Sequence, residues 1–179
     1  MILESEKRII KTGDHRICLE DPLNPGRCIK VVKPEKTVRK MGIKRTVRTS
    51  QYIKRRYRID DLNKAEYEMI QKLPDELKLY LPANISWGYE NEESILSMDR
   101  PKDYDGKYSL TVQEFAAANG KILNNAFWDH VKKIVEIMVK YDLPFFHTFQ
   151  DGNNMIIQKV TDDDWRPVLI DFKPWGIKE

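Results

Sequence analysis

Between Asn124 and Lys140 the apolar residues Phe127, Val131, Ile134, Val135, Met138 and Val139 recur with the spacing i, i+4, i+7, i+8, i+11, i+12. That period puts a continuous apolar stripe on one side of a helix, and it is the strongest helical pattern in the chain. His130 lies beside the stripe and reads as an ordinary helix residue. Upstream the pattern changes. Short apolar runs at Arg8–Thr12, Arg16–Leu19, Arg27–Val32, Ile85–Tyr89 and Ser94–Met98 alternate with turn-rich segments such as Gly13-Asp14 and Asp21-Pro22-Leu23-Asn24-Pro25-Gly26. Strands come first and helices later, so the chain is expected to be α+β.

One helix interrupts the strand-rich part. Asp60 or Asp61 can cap it, and it is expected to run to about Leu73 before Pro74 breaks it. Ile85–Tyr89 and Ser94–Met98 form an expected hairpin around Glu90-Asn91-Glu92-Glu93. Asp99 to Lys107 then reads as a linker. Thr111-Val112-Gln113-Glu114 is a capping box opening a helix that ends at Asn119-Gly120, and Asn124 or Asn125 opens the long helix already described.

Charge is distributed unevenly. The net charge is +3, yet Lys33–Arg58 holds eleven basic residues and one acid, Glu35. Of 31 basic and 28 acidic residues in all, the rest of the chain keeps 20 and 27. This suggests a basic loop on an acidic body. Tyr52 and Tyr57 interleave with its lysines and arginines, a composition that suits nucleic acid or another anionic surface as partner. Cys18 and Cys28, on neighbouring expected strands with no CxxC, read as reduced core thiols. No apolar run reaches the length of a membrane span, and Met1–Lys7 lacks a signal-peptide pattern. A cytoplasmic protein is the default expectation, with a secreted effector as the alternative.

Two stretches carry chemistry. His147-Thr148-Phe149-Gln150-Asp151-Gly152-Asn153-Asn154 is a polar loop running into the apolar Met155-Ile156-Ile157, and Val168-Leu169-Ile170 ends in Asp171. Two strands bounding such a loop can bring Asn154 and Asp171 together. An amide oxygen and a carboxylate are hard ligands suited to Mg²⁺ carrying nucleotide phosphates. The second stretch is Arg27-Cys28-Ile29-Lys30-Val31-Val32. Lys30 stands among apolar neighbours, so it either reaches out of one face of the sheet or is held for a task; taken alone, a solvated lysine is the simpler reading. Glu66 and Glu68, on the interrupting helix, are the candidates to pair with a lysine.

The order of three strands with a lysine in the third, a helix with a glutamate, two strands, a linker, helices and a polar loop between strands resembles that of a protein kinase-like fold. Three stretches are more specifically similar to the PhoP regulatory network protein YrbL family of bacterial kinase-like proteins. They are Thr12–Cys18 with Gly26–Val32, Asp103–Lys107 with Ser109, Thr111, Glu114 and Phe115, and Asn154–Ile157 with Ile170-Asp171. The resemblance implies one compact kinase-like domain over residues 1–179. Residues 1–100 would form a small antiparallel-sheet N-lobe with the basic insert 33–58, and 101–179 a shortened helical C-lobe, with ATP and Mg bound in an interlobe cleft. It implies that Lys30 orients phosphates and Glu66 fixes Lys30. Gly13 and Arg16 would lie at the phosphates, and Asn154 and Asp171 would hold metal.

The sequence also departs from that pattern. Only Gly13 stands where kinases have several glycines, with His15 and Arg16 able to compensate. The catalytic aspartate's spacing falls on Phe149, which cannot accept a proton. Asp151 is the nearest carboxylate, either a displaced base or a turn residue. The glycine expected after Asp171-Phe172 is Lys173. Three readings follow: an ATP-binding phosphotransferase on a small molecule or other non-protein substrate, a pseudokinase acting as a regulatory binding module for an unknown small-molecule or protein partner, and a binder of nucleic acid or an anionic surface through Lys33–Arg58.

Overall fold

The structure, a computed structural model, describes residues 9–13, 15–33, 55, 58–122, 124–143, 149 and 152–172. Contacts divide the chain into two compact units: Met1–Glu68 with Ala83–Asp99, and Met69–Pro82 with Arg100–Glu179. The chain is α+β, and its larger sheet is antiparallel. Among the described residues no helix is long and apolar enough to cross a membrane.

The first unit is built on strands β1 (Ile9–Thr12), β2 (Arg16–Glu20), β3 (Arg27–Val32), β4 (Ser86–Glu90) and β5 (Glu93–Asp99). They form one antiparallel sheet in the order β1-β2-β3-β5-β4, which makes β3 the central strand. The β1–β2 turn closes with the Gly13 amide donating to the Arg16 carbonyl at 2.9 Å. The β4–β5 hairpin turns on Asn91 and Glu92, both at positive φ (50° and 66°). Two left-handed residues give a turn whose twist matches that of the strands it joins. Helix α1 (Leu62–Lys72) begins in this unit and continues into the second. Its start is fixed by Asp61, whose Oδ1 accepts from the Asn63 amide at 2.8 Å and the Lys64 amide at 3.1 Å. These are donors that a helix cannot satisfy internally.

Alternation along β2, β3 and β5 sorts side chains to two faces. Ile17, Leu19, Ile29 and Val31, with Ile95, make one apolar cluster. Cys28, Leu96 and Met98 make the other, with Cys18, Tyr67 of α1, Ile85 and Trp87 against them. Cys28 is buried and Cys18 half-buried, and neither is in a disulfide in this structure.

The second unit contains α2 (Asp75–Lys78), β6 (Leu110–Thr111), α3 (Val112–Asn119), α4 (Asn125–Lys140), β7 (Met155–Lys159) and β8 (Trp165–Leu169). Strands β6-β7-β8 form a second antiparallel sheet. Pro167 lies within β8 and lacks a ladder donor, which the edge position in this sheet tolerates. The capping box at Thr111 and Glu114 is present with both reciprocal bonds, and Asn124 caps α4 through the Phe127 amide.

Pro74 follows the end of α1, as expected, and is the N-cap of the short helix α2. Two sequence expectations change here. Leu110–Thr111 adds a strand to the two expected at the chain's end. On α4 the buried face is Phe127, Ile134, Ile137 and Met138, whereas Val139 is 64% exposed and Ile137 only 3%. The apolar stripe is wider than the face the sheet covers, and spacing alone cannot say which edge of it is left out.

Candidate functional site

Lys30 occupies the middle of the central strand, opposite Cys18 on β2 and Leu96 on β5. Its residue is 9% exposed. The simpler expectation of a solvated lysine therefore fails, because this face of the sheet is covered by α1. An ammonium left among Cys28, Leu96 and Met98 would be costly without a countercharge. Helix α1 supplies one: Glu66, 1% exposed, brings Oε1 to 3.0 Å from Lys30 Nζ. Of the two glutamates considered as partners, Glu68 instead faces Lys64 at 3.9 Å on the exposed side.

A second cation meets the same carboxylate. Arg16 on β2 is buried and pairs through NH1 with Glu66 Oε2. The same Arg16 nitrogen donates to Asn63 Oδ1 at 3.3 Å. Asn63 is fully buried, and its amide nitrogen donates to the Lys30 carbonyl at 3.0 Å and the Ser94 carbonyl at 2.8 Å. Arg16, expected at phosphates, is thus held against the helix acid in this structure. The cluster brings together Arg16, Lys30, Asn63 and Glu66 from β2, β3 and α1.

The start of α1 is fastened beside this cluster. Tyr89 donates through its hydroxyl to Asp61 Oδ2 at 3.4 Å, Trp87 Nε1 donates to Ser94 Oγ at 3.1 Å, and Lys64 lies over the Trp87 ring at 5.3 Å. Burial pushes the Asp61 carboxyl upward. Hydrogen bonds from Ser94, the Lys64 and Asn63 amides and Trp87 outweigh it and hold the group below its usual range.

Gly13 sits in the β1–β2 turn. A Cβ built there would meet only the Arg16 carbonyl, at 3.5 Å, an ordinary contact. The fold itself does not require glycine at this position.

In the second unit, Asn154 immediately precedes β7 and Asp171 follows two residues after the end of β8. The Ile170 amide donates to the Asn154 carbonyl at 3.1 Å, so the β7–β8 ladder sets the backbone of Asn154 beside the residue preceding Asp171. Both side chains are half-buried. Gly152, two residues earlier, has φ +63°, and a Cβ there would meet Val112 and Gln113; its carbonyl accepts from the Gln113 amide at 3.0 Å. Among the described residues no three His, Cys, Asp or Glu side chains gather as a metal cluster. Phe149 is exposed. Asp151, the candidate base, lies outside the described residues, as does nearly all of the basic segment Lys33–Arg58. His130 is engaged within this unit: its Nδ1 is 2.9 Å from the Tyr80 hydroxyl, and its Nε2 is 3.6 Å from Asp164.

Sequence reasoning missed Asn63. Its signal was available: it lies three residues before Glu66 on the same helix face, and asparagine is a poor helix former that needs a reason to be there.

Compared with known proteins, the chain matches no family model and is significantly similar to no curated protein.

Proposed function

We propose that this chain is a kinase-like protein that binds ATP with Mg²⁺, as its resemblance to the YrbL family implies. The observation that carries the reading is the buried Lys30–Glu66 pair, at 3.0 Å, between the central strand and α1. In kinases a strand lysine orients nucleotide phosphates and a helix glutamate fixes that lysine, and both must be in place. The element order supports the same reading: three strands with the lysine in the third, then the helix, then two strands.

The residues present fit the metal. Mg²⁺ keeps several waters and takes one or two carboxylates along with phosphate oxygens, so it needs no cluster of acids. Asn154 and Asp171 are the oxygen donors that would hold it, and the ion would neutralise charge on the phosphates. Lys30 would supply a positive charge for a phosphate oxygen, and Glu66 holds that ammonium in place. Gly13 leaves room for a phosphate to approach the β1–β2 backbone.

Equilibrium titration with Mg-ATP tests this. Wild-type protein should bind, and Lys30→Ala and Asp171→Ala should each abolish binding. Equal affinity in all three proteins would sink the proposal.

Phosphoryl transfer is a separate step, and it would use Asp151 as base towards a non-protein acceptor. Phe149 favours a second reading, in which the chain binds nucleotide as a regulatory pseudokinase, because a phenyl ring cannot take the acceptor's proton. ATP turnover above that of the Lys30→Ala and Asp171→Ala proteins would select the phosphotransferase, and turnover equal to theirs the binding module.

A further inference from the structure

We propose that Asn63 is a positioning residue that keeps Glu66 engaged with Lys30 before any ligand arrives, so that the pair is built into the fold and not assembled on binding. The inference rests on the nucleotide reading only for the task it gives the pair; the positioning itself is a property of the first unit.

Glu66 can meet Lys30 only if α1 keeps its height and rotation against β3. Apolar contacts such as Tyr67 on Cys28, Leu96 and Met98 bury the helix but tolerate sliding and rotation. Hydrogen bonds to backbone do not, because their geometry is directional. Asn63 makes two such bonds. One hydrogen of its amide goes to the carbonyl of Lys30 itself and the other to the carbonyl of Ser94 on β5. The helix is therefore tied to the very residue whose side chain Glu66 must reach, and to the next strand of the sheet.

The third group of the same amide completes the link. Asn63 Oδ1 accepts from Arg16 NH1, and that nitrogen also pairs with Glu66 Oε2. With Lys30 on Oε1 and Arg16 on Oε2, both carboxylate oxygens are engaged and the plane of the carboxylate is set. Asn63 thus uses both donors and its acceptor, all within a fully buried site. Aspartate has the right size but no donors and would face two carbonyl oxygens. Glutamine has the groups but one methylene too many. Leucine has neither donor nor acceptor. Asn63 and Glu66 are three residues apart, so fixing one fixes the other on the same helix face.

The fastening is concentrated at the first turn of α1. Asp61 caps it and meets Tyr89, and Lys64 lies over Trp87. Every one of these partners belongs to the first unit.

The test is the accessibility of the Lys30 amine, read by reductive methylation and peptide mass spectrometry on the full chain, alongside Mg-ATP affinity. In ligand-free wild type, Lys30 should react far more slowly than the exposed Lys64, and Mg-ATP should leave amide exchange in α1 unchanged. Asn63→Asp should raise the Lys30 rate towards that of Lys64 and, through loss of two buried hydrogen bonds, weaken Mg-ATP binding by about tenfold. Leu19→Ala, which lowers stability from the opposite face of the sheet, should leave both readouts at wild-type values. That control separates positioning from general destabilisation.

Unchanged Lys30 labelling in a folded Asn63→Asp protein would overturn the inference. Should that variant fail to fold, ligand-free wild type decides alone: Lys30 reacting as fast as Lys64, or α1 becoming protected only on adding Mg-ATP, overturns it, and slow Lys30 with an already protected α1 upholds it. If wild type does not bind Mg-ATP at all, the nucleotide reading fails, while the labelling still decides whether Asn63 positions the pair.

Discussion

Glu66 Oε1 lies 3.0 Å from Lys30 Nζ, and neither residue is more than a tenth exposed. A buried pair of this kind is not in itself a strong source of stability, because removing both charges from water opposes their attraction. Arg16 on the second carboxylate oxygen makes the arrangement unequal: one acid meets two cations.

The inequality predicts different costs for the two partners. Glu66→Ala removes the carboxylate that both Lys30 and Arg16 meet and should lower unfolding free energy by about 3–5 kcal/mol. Lys30→Met leaves the Arg16–Glu66 pair complete and should cost about 1 kcal/mol or less. Urea denaturation of the two variants measures the difference. Equal losses would show that Arg16 does not share the carboxylate.

Gly13→Ala should separate binding from folding. The built Cβ meets only an ordinary contact, and the φ of Gly13 is not in the left-handed region, so stability should be unchanged or rise by about 0.5 kcal/mol. Mg-ATP affinity should fall, because the methyl group would occupy the approach to the turn's backbone. Thermal melting and a binding titration on the same sample read both effects, and retained affinity would remove Gly13 from the site.

Gly152→Ala should be harmful to folding. Its φ of +63° is unfavourable for a side chain, and the new Cβ would lie 3.0 Å from Val112 Cγ1 and 3.2 Å from the Gln113 amide nitrogen. A loss of about 1–3 kcal/mol is expected from such backbone strain. Since Asn154 follows two residues later, the Mg²⁺ dependence of nucleotide binding should weaken as well. Denaturation and a Mg²⁺ titration at fixed ATP would show whether the two effects go together.

The Asp61 cap predicts a response to acid. Its carboxyl is held below its unfolded value, so its contribution is complete above the ordinary carboxylate range and disappears as pH falls through the lowered folded value. Asp61→Asn keeps a capping oxygen and should flatten that part of the stability profile. Asp61→Ala removes the cap and should cost about 1 kcal/mol at neutral pH. Melting temperatures across acid pH would contradict the assignment if wild type and Asp61→Asn lose stability in parallel.

What the sequence shows depends on whether local pattern or distant packing decides. The caps at Asp61, Thr111 and Asn124 are local, and each forms as its spacing predicts. The hairpin at Asn91-Glu92 is local too. Lys30 is different: among its strand neighbours it looks like a solvated lysine, and only the helix thirty-six residues later changes that. Arg16 and Asn63 are legible as residue types but not as partners, because β2 and α1 meet only in the folded sheet. The misplaced edge of the α4 stripe at Val139 has the same origin, since which side of a wide apolar face is covered depends on the layer beside it.

The account is tested most directly by a thermal-shift titration of the intact chain with ATP, with and without Mg²⁺. Ligand that binds only the folded state raises stability by RT ln(1 + [L]/Kd), about 2.7 kcal/mol at a hundredfold excess over Kd, which should lift the melting temperature by several degrees. The account predicts a rise that needs Mg²⁺ and vanishes in Lys30→Ala. No rise at saturating Mg-ATP, or the same rise in Lys30→Ala as in wild type, would contradict it.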